Sequence, residues 1–157
     1  MIDPINKGLK IIDRVKEIFK LSQGEYIAPA KLETAYDKSP FVSQICIYGN
    51  SEKSYIIDIV VVNKQKAAET LKELGILKEG DLFEEKHLSE IKLIEAIKAS
   101  FEEIAKFSKF NTLEKPTKFI LTMKEFSVQN ELLTPSMKLV RKKIQTFFQD
   151  EINKAYS

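Results

Sequence analysis

The chain has 157 residues, 43% hydrophobic and 31% charged, which suits a single globular domain with a core of its own. Lys plus Arg number 25 against 23 Asp plus Glu, a net charge of +2, too even a balance for a surface that tracks nucleic-acid phosphates. One cysteine and one histidine exclude an internal disulfide and a multi-cysteine zinc site, and no stretch approaches the roughly 20 apolar residues of a membrane span or the shape of a signal peptide.

Taken in chain order, residues 9–14 and 18–21 alternate as two short strands around a polar turn, and Gly24 breaks the pattern. Pro29 then stands where a helix N1 residue belongs, with Leu32, Ala35 and Tyr36 at helical spacing and Ser39-Pro40 as the stop. Residues 41–48 and 55–62 are rich in β-branched and aromatic side chains, and the polar run 49–54 between them makes a hairpin. Cys46 falls in the apolar run Ile45-Cys46-Ile47-Tyr48, which marks a buried thiol rather than a nucleophile.

Two helices follow. In 64–74, Ala67, Ala68, Leu71 and Leu74 share a face and Gly75 supplies the stop. The lone His87, amid Glu84, Glu85 and Lys86, is expected to be solvated and has no partner for a triad or metal site. In 90–108, Ile91, Ile94, Ile97, Phe101 and Ile104 form a stripe of core residues. Residues 118–126 read as a third strand, with Phe119, Leu121 and Met123 alternating against polar neighbours. A loop over 127–138 leads into a basic helix over 140–155. The fold class is α+β: a small, mainly three-stranded sheet flanked by helices, with an N-terminal β-hairpin.

Two strings go further than pattern. The first is residues 9–29, whose idiosyncratic part is Lys20-Leu21-Ser22-Gln23-Gly24-Glu25-Tyr26-Ile27-Ala28-Pro29. The second is Leu132-Leu133-Thr134-Pro135-Ser136-Met137-Lys138-Leu139-Val140-Arg141. The first resembles the hinge and following loop of AMP-forming long-chain fatty acyl-CoA synthetases, within the adenylate-forming superfamily. The second resembles that family's C-terminal motif, in which a lysine enters the active site. The two strings stand in the expected order, and the run of helices and strands between them also fits that family's C-terminal domain, so the resemblance covers nearly the whole chain.

The resemblance implies a single domain over 1–157, the mobile C-terminal domain of a long-chain fatty acid–CoA ligase. The large N-terminal domain, with its ATP and fatty-acid pockets, would lie outside the chain, and this piece alone is expected to be inactive. ATP and CoA are the implied cofactors, with Mg²⁺ accompanying ATP but not bound by this domain. The implied partners are the enzyme's own N-terminal domain, a long-chain fatty acid, ATP and CoA. The expected location is cytoplasmic-facing, with association at the endoplasmic reticulum or another organelle membrane through segments outside the chain. An aryl- or medium-chain acid ligase, or a non-catalytic binding domain that kept the fold, are the alternatives.

The resemblance also implies roles residue by residue. Lys138, on residues alone one of 25 basic side chains, would supply the cation at the α-phosphate. Arg14 would reach the nucleotide ribose or phosphates, its alternative being an ion pair with Asp13 or Glu17. Lys16 stands at the hinge. Gly24, flanked by Glu25 and Tyr26, would line the CoA tunnel after the domain rotates. Arg141, Lys142 and Lys143 extend the basic cluster, the last two reading as a solvated helix face. Asp3 lies near the family's ribose-binding aspartate, but Met1-Ile2-Asp3-Pro4 does not match and the role is not carried over.

Overall fold

The computed structural model describes residues 18–156. The strand read over 9–14, together with Asp3, Arg14 and Lys16, lies outside the described residues.

Strands β1 (Phe19–Lys20) and β2 (Tyr26–Ile27) pair antiparallel, Phe19 opposite Ile27 and Lys20 opposite Tyr26. The hairpin partner of 18–21 is thus the segment after Gly24, which alternation alone had not marked as a strand. Gly24 closes the turn at φ +90, where a side chain is strained, and its N–H donates to the Leu21 carbonyl at 2.9 Å. The hairpin sits on the 49–54 turn: Ser22 N–H donates to Lys53 O and Gln23 Nε2 to Ser54 O. A Cβ at Gly49 would come within 2.5 Å of the Phe19 ring, so this close approach requires glycine.

Helix α1 (Pro29–Tyr36) starts at proline, whose missing N–H is one that no helical partner would take. Strands β3 (Val42–Tyr48), β4 (Ile56–Val62) and β5 (Pro116–Thr122) form a mixed sheet in the order β3-β4-β5. The β3–β4 pair is antiparallel, as the short turn permits; β4–β5 is parallel and needs a long crossover. Helices α2 (Lys64–Glu73) and α3 (Ile91–Ser108) and short 3₁₀ segments at Glu85–Ser89 and Thr112–Glu114 supply it. Helices α4 (Arg141–Phe147) and α5 (Gln149–Tyr156) close the chain.

Every residue of β4 is buried, and alternation sends its side chains into two cores. Ile56, Val60 and Val62 pack with α1, α2 and α3; Ile57, Ile59 and Val61 pack with Ile144, Phe148 and Ile152 of the terminal helices. The Tyr36 ring stacks on Phe101 at 4.7 Å, and its hydroxyl donates to Glu114 O at 2.9 Å.

Several expectations are corrected. The buried row of α3 is Leu93, Ile97, Phe101 and Ala105, whereas Ile91 is 70% exposed, Ile94 lines a groove beside β5 and Ile104 only flanks the core. Ile91 sits about 100° around the helix from the centre of that row. His87 is buried, its Nδ1 accepting the Glu84 N–H at 2.9 Å and its ring lying beside Phe83. The charged neighbours face outward and the imidazole turns in. Strand β5 ends at Thr122: just past it the Lys124 N–H donates to Thr122 Oγ1 at 3.0 Å, and further on the Gln44 amide takes both the N–H and the carbonyl of Phe126. The terminal helix is two helices, interrupted at Phe148 (φ −104, ψ 21), whose ring is buried against Phe126. The row Ile144, Phe148 and Ile152 still keeps i,i+4 hydrogen bonds across the break.

Asp58, in the centre of β4, is completely buried, and neither carboxyl oxygen has a hydrogen-bond partner. Burial first, then the charge of Glu33, holds its pKa well above the usual carboxylate range. The folded chain therefore keeps a proton that the unfolded chain loses near pH 4, so stability falls as pH rises above about 4. The limiting slope for one proton is about 1.4 kcal/mol per pH unit. Urea unfolding of the wild type and Asp58→Asn across this window should give a falling curve and a flatter one; parallel curves would refute a protonated Asp58.

Candidate functional site

Leu132 and Leu133 are buried, and an isolated bridge pairs Leu133 with Leu139. Between these anchors the chain makes a tight exposed loop. Thr134 N–H donates to Lys138 O at 2.8 Å, Met137 N–H to Thr134 O at 2.7 Å, and Lys138 N–H to Thr134 Oγ1 at 3.1 Å. Met137 takes up the left-handed backbone, φ +67, that tightens the return. Below the loop, Val140 N–H bonds Leu132 O at 2.9 Å. Lys138 is thus an exposed ammonium on a backbone tied at both ends.

Three residues on, Arg141 opens α4. The Val140 side chain offers no cap to this helix. Arg141 instead grips Glu33 of α1 with both arms of its guanidinium, Nη2 to Oε1 at 2.7 Å and Nη1 to Oε2 at 2.5 Å. Glu33 Oε2 also accepts the Ile47 N–H at 2.8 Å, a donor on the outer edge of the sheet. The pair spans that edge, joining a helix of one core to a helix of the other. Cys46 Sγ lies 3.9 Å from Arg141 Nη1. Burial and then the Glu33 charge push the Cys46 thiol up to about 12, against the pull of Arg141, which makes it a structural thiol. Lys143 pairs with Glu131 at 2.6 Å in solvent.

The second loop is the β1–β2 turn. Gly24 and Glu25 are exposed, and Tyr26 is 67% exposed with the Lys20 ammonium 5.7 Å from its ring centre. A Cβ at Gly24 would meet only the end of Lys20, at 3.8 Å, so its outer side is open. The two loops approach at their bases: Phe19 and Arg141 line one small cavity of about 140 Å³. A larger groove, about 550 Å³, runs along β5 on the opposite sheet edge and includes neither loop.

Among the described residues no three His, Cys, Asp or Glu side chains stand together where they could hold a metal ion. No described helix is long and apolar enough to cross a membrane. Glu33 and Asp58 escaped sequence reasoning, although each left a signal: an acid on the apolar face of α1, and an acid amid Ile56, Ile57, Ile59 and Val60.

A small mixed sheet with helices on both faces, presenting an exposed lysine loop and a glycine turn, defines a compact accessory domain rather than a self-contained pocket. Residues 16–157 match the family described as AMP-binding enzyme C-terminal domain, and the chain belongs to that family. It is 44% identical over 154 residues to fatty acyl-CoA synthetase B of Dictyostelium discoideum, covering 96% of this chain and 22% of that protein. It is 39% identical over 152 residues to long-chain-fatty-acid–CoA ligase 1 of Cavia porcellus, covering 97% and 21%. Among solved structures, the adenylation domain of a Mycobacterium chelonae carboxylate reductase superposes with a TM-score of 0.75 at 34% identity, over 91% of this chain and 20% of that one. The chain therefore spans about a fifth of the length of the relatives it matches.

Proposed function

We propose that this domain serves a long-chain fatty acid–CoA ligase, working against a large N-terminal domain of the same protein. The observation that carries the reading is the exposed Lys138 on its braced loop, in a chain whose relatives at 39–44% identity are named as fatty acyl-CoA synthetases or ligases.

The reaction has two steps. A fatty acid carboxylate oxygen attacks the α-phosphorus of ATP, the bond to the bridging oxygen breaks, and pyrophosphate leaves with the electron pair. The CoA thiolate then attacks the acyl carbonyl, the bond to the adenylate oxygen breaks, and AMP departs. Two anions meet in the first step, so a fixed ammonium at the α-phosphate lowers that barrier most. Lys138 supplies it. Arg14 holds the ribose or phosphates, for which a guanidinium fork is suited. Lys16 absorbs the backbone change as the domain turns, and Gly24, with Glu25 and Tyr26 beside it, borders the path of the pantetheine arm. Mg²⁺ travels with ATP. The enzyme faces the cytoplasm, and any attachment to the endoplasmic reticulum or another membrane belongs to segments outside this chain.

The likeness to a carboxylate reductase adenylation domain favours a second reading, in which the adenylate forms alike but meets a different fate. One experiment separates them. Full-length protein given palmitate, ATP and CoA should yield one acyl-CoA, one AMP and one pyrophosphate per turnover, while the isolated chain yields none. Adenylate that forms but does not pass to CoA would favour the second reading, and turnover by the isolated chain would overturn both.

A further inference from the structure

We infer that Glu33 and Arg141 are positioning residues for Lys138, a clamp that sets where the lysine loop stands above the sheet; this rests on the role proposed for Lys138. Lys138 has no packed side chain of its own, so its place is decided by what holds the backbone on either side. On the upstream side Leu132 and Leu133 are buried. On the downstream side α4 begins only three residues later, without a side-chain cap, and its first residue is the gripped Arg141.

The pair fits this task in three ways. Its bonds are two-toothed, which fixes orientation as well as distance. It is largely shielded, with side-chain exposures of 11% for Glu33 and 24% for Arg141, so water competes little for either partner. Glu33 is itself held by the Ile47 N–H of the sheet edge and by the helix that follows the Gly24 hairpin. Loosening the clamp lets the start of α4 slide or turn, and Lys138 moves with it. A displacement of about 1 Å at a charge-stabilising group is enough to cost a large part of its effect.

The test uses the full-length enzyme and reads the two half-reactions separately. Glu33→Gln keeps the shape and an acceptor for Ile47 while removing the charge that orients the guanidinium. Pyrophosphate release should fall about tenfold or more, and transfer from isolated acyl-adenylate to CoA should change less than about twofold. In a Lys138→Ala background the same substitution should add no further loss, because it acts through the lysine. Arg141→Lys, which keeps the charge but not the fork, should give a milder loss of the same kind, and it decides the matter if Glu33→Gln does not fold. Equal loss in both half-reactions, or a full additional loss on top of Lys138→Ala, would overturn the clamp and leave Lys138 in place. If Lys138→Ala itself released pyrophosphate at the normal rate, the functional reading would fall and the clamp with it.

Discussion

Replacing Lys138 by alanine in the full-length enzyme should slow pyrophosphate release about 100-fold or more, equivalent to about 2.7 kcal/mol of barrier. The size follows from what the lysine offers. Negative charge gathers around the α-phosphorus as a carboxylate approaches a triphosphate, and a held cation there needs no reorganisation when the charge develops. The loop fits that use: Thr134 ties the backbone on both sides of the turn while the Lys138 side chain stays exposed and able to enter another domain's pocket. Transfer of the acyl group from preformed adenylate to CoA should be far less affected, since that step has no second anion attacking phosphorus. Rapid-quench assays of each step check this. Equal loss in both would mean that Lys138 serves general binding or stability rather than adenylation.

What could be read in advance was whatever local chemistry decides. Pro29 at a helix start, Gly75 after α2 and the β-branched runs of β3 and β4 mark elements whose ends depend on single residues. The interior of α3 was harder, because two rows at helical spacing compete and only the packing partner chooses between them. The sheet took Leu93 and Ala105 and left Ile91 in water. His87 departs from the solvated position its neighbours suggest for a related reason: neighbouring charges describe the outside of a 3₁₀ turn, whereas burial of the ring depends on Phe83 and on the Glu84 amide. The Glu33–Arg141 pair joins residues 108 apart in the chain, and no local pattern reports such a meeting. Lys138 and Gly24 were visible as motif positions, but the brace under the first and the open side of the second are facts of the fold.

The hinge and the glycine turn should matter for the second half-reaction. If the domain turns between steps, Lys16→Pro would fix φ near about −65° and hold the chain in the adenylating arrangement, provided that arrangement has a compatible φ there. Gly24→Trp would place an indole on the open side of the turn, across the path proposed for the pantetheine arm. Either variant should still release pyrophosphate in a single turnover and then accumulate acyl-adenylate in the presence of CoA. Gly24 needs its own control, because any side chain at φ +90 strains the backbone. Gly24→Ala carries the same strain without the ring: it should lose about 1–2 kcal/mol of stability and keep acyl transfer within a few-fold of normal. Strain alone would make alanine and tryptophan fail alike; obstruction makes only tryptophan fail. Circular dichroism of each variant establishes that it is folded before the half-reactions are compared. Normal acyl-CoA formation by folded Gly24→Trp and Lys16→Pro would remove both the tunnel and the hinge from the mechanism, leaving Lys138 to stand on its own result.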